Sequence, residues 1–197
     1  MTETTHRNLR SRGWRASLAI AGLHLMACDD GKEKAGPRAD GGAACAHDVL
    51  ERDLSDDGPQ GPAVDPATGE LKLEGGKEYV VSSTYGIPKP GTDGAPVTER
   101  YLQLFGAVQE QLQNEPGLLA LRLSQSDSCG SGRTLAIWRS EEDMYHFVTS
   151  DAHVAAMTAV REVLMPGYAV THWNASSPDH MTFDEAARKL AEAGESP

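Results

Sequence analysis

The sequence predicts an α+β domain whose elements run strand, helix, strand, strand, helix, strand, with one more helix at the end. Three observations carry this. Thr134 to Trp138 is a short apolar run with β-branched and aromatic members, and it leads directly into Ser140-Glu141-Glu142-Asp143, a cap residue followed by acids where a first helical turn would lie. Tyr101, Leu104, Phe105, Val108 and Leu112 recur at helical spacing between Thr98, a good N-cap, and the stop Asn114-Glu115-Pro116-Gly117. Leu119, Leu121 and Leu123 alternate as one face of a strand does.

The domain begins near Glu78. Tyr79 to Tyr85 (YVVSSTY) reads as the first strand, closed by a loop containing Pro88, Pro90 and Pro96. After the helix from Thr98 comes the second strand, Leu118 to Ser124. Gln125 to Arg133, with Gly130 and Gly132, reads as a turn that projects into solvent with Cys129 near its tip. Past the third strand, Met144, Phe147 and Val148 fall on one helical face. A break at Thr149-Ser150-Asp151 precedes a second face made by His153, Met157, Val160 and Leu164, so that one histidine interrupts an apolar stripe. Tyr168 to Asn174 (YAVTHWN) is the fourth strand, and Thr182 with Glu185 starts the last helix by a capping box.

This order is that of the ferredoxin-like fold, one antiparallel sheet with helices on one face. The second strand is apolar at nearly every position and the fourth carries aromatics on both faces (Tyr168, Trp173), so the other face of the sheet should also be covered. A second copy of the domain is the simplest cover, and a homodimer is expected.

Composition sets the surroundings. With 197 residues, 39% hydrophobic and 6% aromatic, the chain can hold one domain with a modest core. The formal charge is −11 although the first 27 residues hold Arg7, Arg10, Arg12 and Arg15, so the rest is more acidic still and ill suited to nucleic acid. Residues 1–27 read as a lipoprotein-type signal peptide: a basic start, about a dozen mostly apolar residues from Ala16, too few to span a bilayer, and then Leu25-Met26-Ala27-Cys28. That ending resembles the lipobox of bacterial lipoproteins, which implies lipidation of Cys28 and an envelope protein held on a membrane surface, facing the periplasm or the exterior. Residues 28–77, rich in Gly, Pro, Ala and acids, read as a flexible acidic linker. With Cys28 lipidated, Cys45 and Cys129 form an even pair in a compartment that permits disulfides; they are either bridged or two separate thiols.

Leu135-Ala136-Ile137-Trp138-Arg139-Ser140-Glu141-Glu142, Phe147, Ser150-Asp151-Ala152-His153-Val154-Ala155-Ala156-Met157 and Val170-Thr171-His172-Trp173 resemble the antibiotic-biosynthesis-monooxygenase-like family of dimeric α+β barrels. The resemblance spans residues 78–197 and is strongest over Thr134 to Asn174. It implies oxygenation of a small apolar or aromatic molecule without metal or flavin, with His153 as acid/base and a pocket shaped by Tyr85, Trp138, Phe147, Met157 and Trp173. The alternative is a binding or interaction protein without turnover, in which the same residues are core. The haem-degrading branch fits less well: Phe147 stands where that branch has a tryptophan, Met157 where it has the iron-ligating histidine, and its first-strand asparagine is missing from YVVSSTY. Strand parity adds one restriction. Tyr168, Val170 and His172 share one face, opposite Ala169, Thr171 and Trp173, so His172 and Trp173 cannot line the same pocket.

Overall fold

The computed structural model describes residues 45–193. The signal peptide 1–27 and Cys28 lie outside the described residues, as does the start of the expected linker.

Five antiparallel strands, β1 (Ser55–Asp56), β2 (Tyr79–Gly86), β3 (Leu118–Ser126), β4 (Ser131–Trp138) and β5 (Ala169–Ala175), form one sheet in the order β1-β3-β4-β2-β5. Without β1 this is the ferredoxin-like arrangement. The helices are α1 (Glu99–Gln113), α2 (Glu141–Val148), α3 (Asp151–Thr158), α4 (Val160–Val163) and α5 (Phe183–Ala193). Their starts follow the sequence signals: the hydroxyls of Thr98, Ser140, Ser150 and Thr182 accept from the backbone N–H groups of Tyr101, Asp143, His153 and Glu185.

Pairing fixes which residues share a side. Val80 lies opposite Trp138 and Asn174, and Val81 opposite Ile137 and Trp173. Even-numbered residues of β2 therefore share one side with Trp138, and odd-numbered ones the other side with Trp173. On the first side Leu104 and Leu112 of α1 are buried, and Leu112, Val80, Leu118, Ala136, Trp138, Met144 and Phe147 make one core with α1 and α2. On the second side Val81, Ala120, Leu135 and Ile137 pack under Phe183 and Ala186 of α5.

The second side needs no other copy to cover it, because the chain covers it with its own residues. Residues 45–77, read from composition as linker, form a strap across the sheet. Leu50, Leu54, Val64, Leu71 and Leu73 pack against the core beneath α5. Ser55 and Asp56 pair with Gln125 and Ser124, and Gln60 exchanges backbone hydrogen bonds with Leu121 at 2.9 and 2.7 Å. The composition of the strap gave no sign of this, since its few leucines and valines are spread among glycine, proline and acids.

Polar contacts hold the strap at the far end of the same side. Arg133 is 1% exposed, its Nε donates to Glu51 at 2.7 Å, and its remaining nitrogens donate to the carbonyls of Ala46, His47 and Val49. Ser131 also donates to Glu51. Cys45 and Cys129 are joined by a disulfide with Cα atoms 5.4 Å apart. The 125–133 segment is thus no solvent-projecting loop: Ser126 and Ser131 are buried, and only 127–130 turn.

Gly61 is where the strap comes closest. Its φ is +150°, and a Cβ there would lie 2.4 Å from the carbonyl oxygen of Leu119. Gly61→Ala is expected to destabilise the domain by about 1–3 kcal/mol, since it combines a backbone conformation disfavoured for side chains with a clash against β3. Equal urea midpoints for the two proteins would show that the strap does not need this approach.

Candidate functional site

Trp138, at the end of β4, is 1% exposed, and its Nε1 donates to Ser82 of β2 at 2.9 Å. The indole stacks on Phe147 of α2 with ring centres 5.3 Å apart, and Phe147 meets the ring of His153 edge-on at 4.9 Å. Three of the expected residues, Trp138, Phe147 and His153, are therefore one continuous group on the side of the sheet beneath α1 and α2.

His153 owes its place to a local device. The α2 helix ends at Val148, Ser150 caps α3, and the short step between them leaves the Val148 carbonyl 2.9 Å from His153 Nδ1. A carbonyl can only accept, so Nδ1 carries the proton and the neutral ring keeps its lone pair on Nε2. The residue is half-buried, and burial pushes its pKa below the ordinary 6.5, against the smaller opposite pull of the Val148 bond. At neutral pH His153 is a neutral base.

This sets a stability prediction. Between the lowered folded pKa and 6.5 the unfolded chain binds the proton and the folded chain does not. Stability therefore falls as pH drops from 6.5 to the folded value and takes no further loss from this group below it. In His153→Asn that component should vanish from urea midpoints measured across the window; an unchanged slope would mean that the ring is equally solvated in both states.

The floor beside Trp138 is polar. Ser82 and Thr84 lie half-buried on β2, with Thr84 Oγ1 2.7 Å from Thr134 Oγ1. His172 pairs across from Ser82, and Val170, His172 and Asn174 of β5 stand exposed. Sequence reading missed Ser82, Thr84 and Thr134 as a set. Their signal is parity with Trp138, which becomes visible only once β2 and β4 are in register.

Three other expected pocket residues lie elsewhere. Met157 is 40% exposed and no residue of α3 is fully buried, so the apolar stripe inferred for this helix is only partly packed, through His153. Trp173 is buried on the opposite side, where its Nε1 donates to the His180 carbonyl at 2.9 Å and its ring joins the core under α5. Strand β2 separates it from β4, so it cannot flank a cavity with Trp138. Tyr85 also faces that opposite side, with the Arg133 guanidinium 4.6 Å above its ring. Ser83 does too, donating to the Thr134 carbonyl.

Asp143 takes two hydrogen bonds from Arg139, and His146 lies 2.9 Å from Glu115. Among the described residues no group of three or more His, Cys, Asp or Glu is placed to hold a metal ion, and no helix is long and apolar enough to cross a membrane.

Residues 95–159 match the family model described as antibiotic biosynthesis monooxygenase. The match runs from the loop before α1 to the end of α3 and includes Trp138, Phe147 and His153. Among solved structures the chain is similar to Rv0793 from Mycobacterium tuberculosis, at 20% identity, covering 48% of this chain and 92% of that one with a TM-score of 0.41. It is similar to protein SO0527 from Shewanella oneidensis at 14% identity (50% and 91% covered, TM-score 0.42). SnoaB, a cofactor-independent oxygenase from Streptomyces nogalater, is similar at 14% identity (51% and 92% covered, TM-score 0.37). No curated protein matches the chain.

Proposed function

We propose that this domain oxygenates a small apolar or aromatic molecule without metal or flavin, using the helix-covered side of the sheet. The observation that carries the reading is a neutral His153 at the end of an aromatic row, Trp138 and Phe147, beside a shelf of hydroxyls. Nε2 can take a proton from a substrate bound against the aromatic edge. The ionised substrate, richer in electrons, would then itself reduce dioxygen. The match of residues 95–159 to a monooxygenase family supports this class of reaction.

Anthrone, a polycyclic aromatic with an acidic CH₂, is a suitable probe, with oxygen uptake as the readout. His153→Ala should lower the rate about 100-fold or more while the circular dichroism stays native. A second reading, a binding protein without turnover, is favoured by the bond from His153 Nδ1 to Val148, which a purely structural histidine would also make. Under that reading His153→Ala changes stability alone and the wild-type protein consumes no oxygen.

The same proposal places the protein in the cell envelope, lipidated on Cys28, where a Cys45–Cys129 disulfide would persist. Radiolabelled palmitate should be incorporated into the full chain and not into Cys28→Ser. A homodimer belongs to the proposal as well, and with the second side of the sheet covered it would use the surface around β5. Val170 of β5 is 49% exposed there, and Val154 of α3 is 50% exposed.

A further inference from the structure

The shelf of hydroxyls beside Trp138 carries protons that the fold does not use. An indole N–H can only donate, so the bond from Trp138 Nε1 makes Ser82 Oγ an acceptor and leaves the proton of Ser82 itself uncommitted. Among the described residues Trp138 is the one hydrogen-bond partner of that side chain. Thr84 and Thr134, directly across from each other, share a single hydrogen bond between their hydroxyls, so one of their two protons is likewise unspent.

Both donors are within reach of a ligand. The backbone of β2 lies between β4 and β5, so the exposure that Ser82 and Thr84 keep belongs to their side chains. Their neighbours on β5, His172 and Val170, are exposed, and the shelf is open on that flank. Ser82 and Thr84 stand two residues apart on one side of the strand, roughly 7 Å, so one oxygen seated between them can accept from both. Trp138 is 1% exposed and acts here from below, holding Ser82 Oγ with its proton turned away from the indole.

We infer that Ser82, with the Thr84–Thr134 pair as second donor, binds an oxygen of the substrate itself, a carbonyl conjugated with the acidic carbon that faces His153. The inference rests on the oxygenation proposed above and names what its substrate must carry. When His153 Nε2 takes the proton, the C–H bond breaks and its electron pair moves through the conjugated system onto the carbonyl oxygen. The bond from Ser82 strengthens as that oxygen becomes an enolate, so the hydroxyl lowers the barrier as well as orienting the substrate. A hydrocarbon of the same shape offers the shelf no acceptor.

The test uses the oxidised full chain under nitrogen, where no oxygenation can occur, and two probes. These are anthrone and 9,10-dihydroanthracene, the same tricycle without the ketone. Anthrone should give saturable NMR shifts at the amides of residues 82–84 and at the Trp138 indole N–H, and dihydroanthracene should bind about 10-fold more weakly. Ser82→Ala should remove most of that preference while leaving the affinity for the hydrocarbon as it was. Thr84→Val, which keeps the shape of the side chain and leaves the Trp138 bond intact, should remove part of it. In air, Ser82→Ala should lower kcat about 100-fold. A protein that prefers the ketone under nitrogen and consumes no oxygen in air keeps the Ser82 assignment and loses the oxygenase reading. The inference itself is overturned if the two probes bind equally, if neither gives saturable shifts at these residues, or if Ser82→Ala keeps the ketone preference of the wild type. Should Ser82→Ala fail to fold because Trp138 loses its acceptor, Thr84→Val decides, and an unchanged preference in that variant overturns the inference.

Discussion

Glu51→Ala is expected to destabilise the domain by about 3–5 kcal/mol, the range for removing one partner of a fully buried ion pair. Both side chains of the Glu51–Arg133 pair are 0% exposed, so removing the carboxylate leaves a buried guanidinium without its counter-charge. The same change orphans the hydroxyl of Ser131, which donates to Glu51. Arg133→Met should be at least as damaging, since it strands Glu51 together with the carbonyls of Ala46, His47 and Val49. Glu51→Gln, whose one carbonyl oxygen can still accept from Arg133 while the Ser131 hydroxyl turns to accept from the amide, should fall between wild type and Glu51→Ala. Urea unfolding at pH 7 measures all three. A loss below about 1 kcal/mol for Glu51→Ala, the level of an exposed pair, would mean that the strap is not seated on Arg133 in solution.

The second large effect concerns the disulfide. It joins residues 84 apart in sequence, and a loop of that size removes enough entropy from the unfolded chain to stabilise the fold by about 4–5 kcal/mol in the chain-entropy view. Cys45→Ser with Cys129→Ser should lose most of that and show a larger dependence on urea, because the freed unfolded chain exposes more surface. The strap should stay in place at low urea. Asp53 holds the same corner, accepting from the Ser126 hydroxyl at 2.6 Å and from the Ser128 amide at 2.9 Å. Those bonds, that from Ser126 foremost, hold the Asp53 carboxyl down at about 2, so the corner loosens only as pH falls from 3.8 through that value. Equal unfolding curves for the oxidised protein and the double variant would refute the entropic role.

The fold was legible from Tyr79 onward because each element there carries its own signal. Caps at Thr98, Ser140 and Thr182 and the alternation through β3 act within a few residues of the structure they specify. The strap was not legible. Its order comes from partners about 60 to 90 residues away, such as Arg133 for Glu51 and Leu121 for Gln60, and composition alone reports nothing of such pairings. The candidate site was half legible for the same reason. Trp138, Phe147 and His153 lie within one stretch of sequence, so their neighbourhood follows from a strand turning into a helix. Tyr85 and Trp173 were assigned to that group without knowledge of register, and a strand side cannot be chosen without it. The expected cover for the sheet was right in kind and wrong in source, since the chain supplies it.

The strap also decides where the sheet can grow. An unpaired sheet edge is a template for another strand, and a sheet open at both edges can add copies without end. Here Ser55, Asp56 and Gln60 pair along the outer edge of β3, and the amide of Ala63 bonds to the Leu119 carbonyl, so that edge is occupied. The new edge on that flank, β1, is only two residues long, so β5 is the one long edge left open among the described strands. Association by strand addition would then stop at two molecules meeting β5 to β5 about a two-fold axis, a pairing that closes on itself and cannot propagate into a fibre.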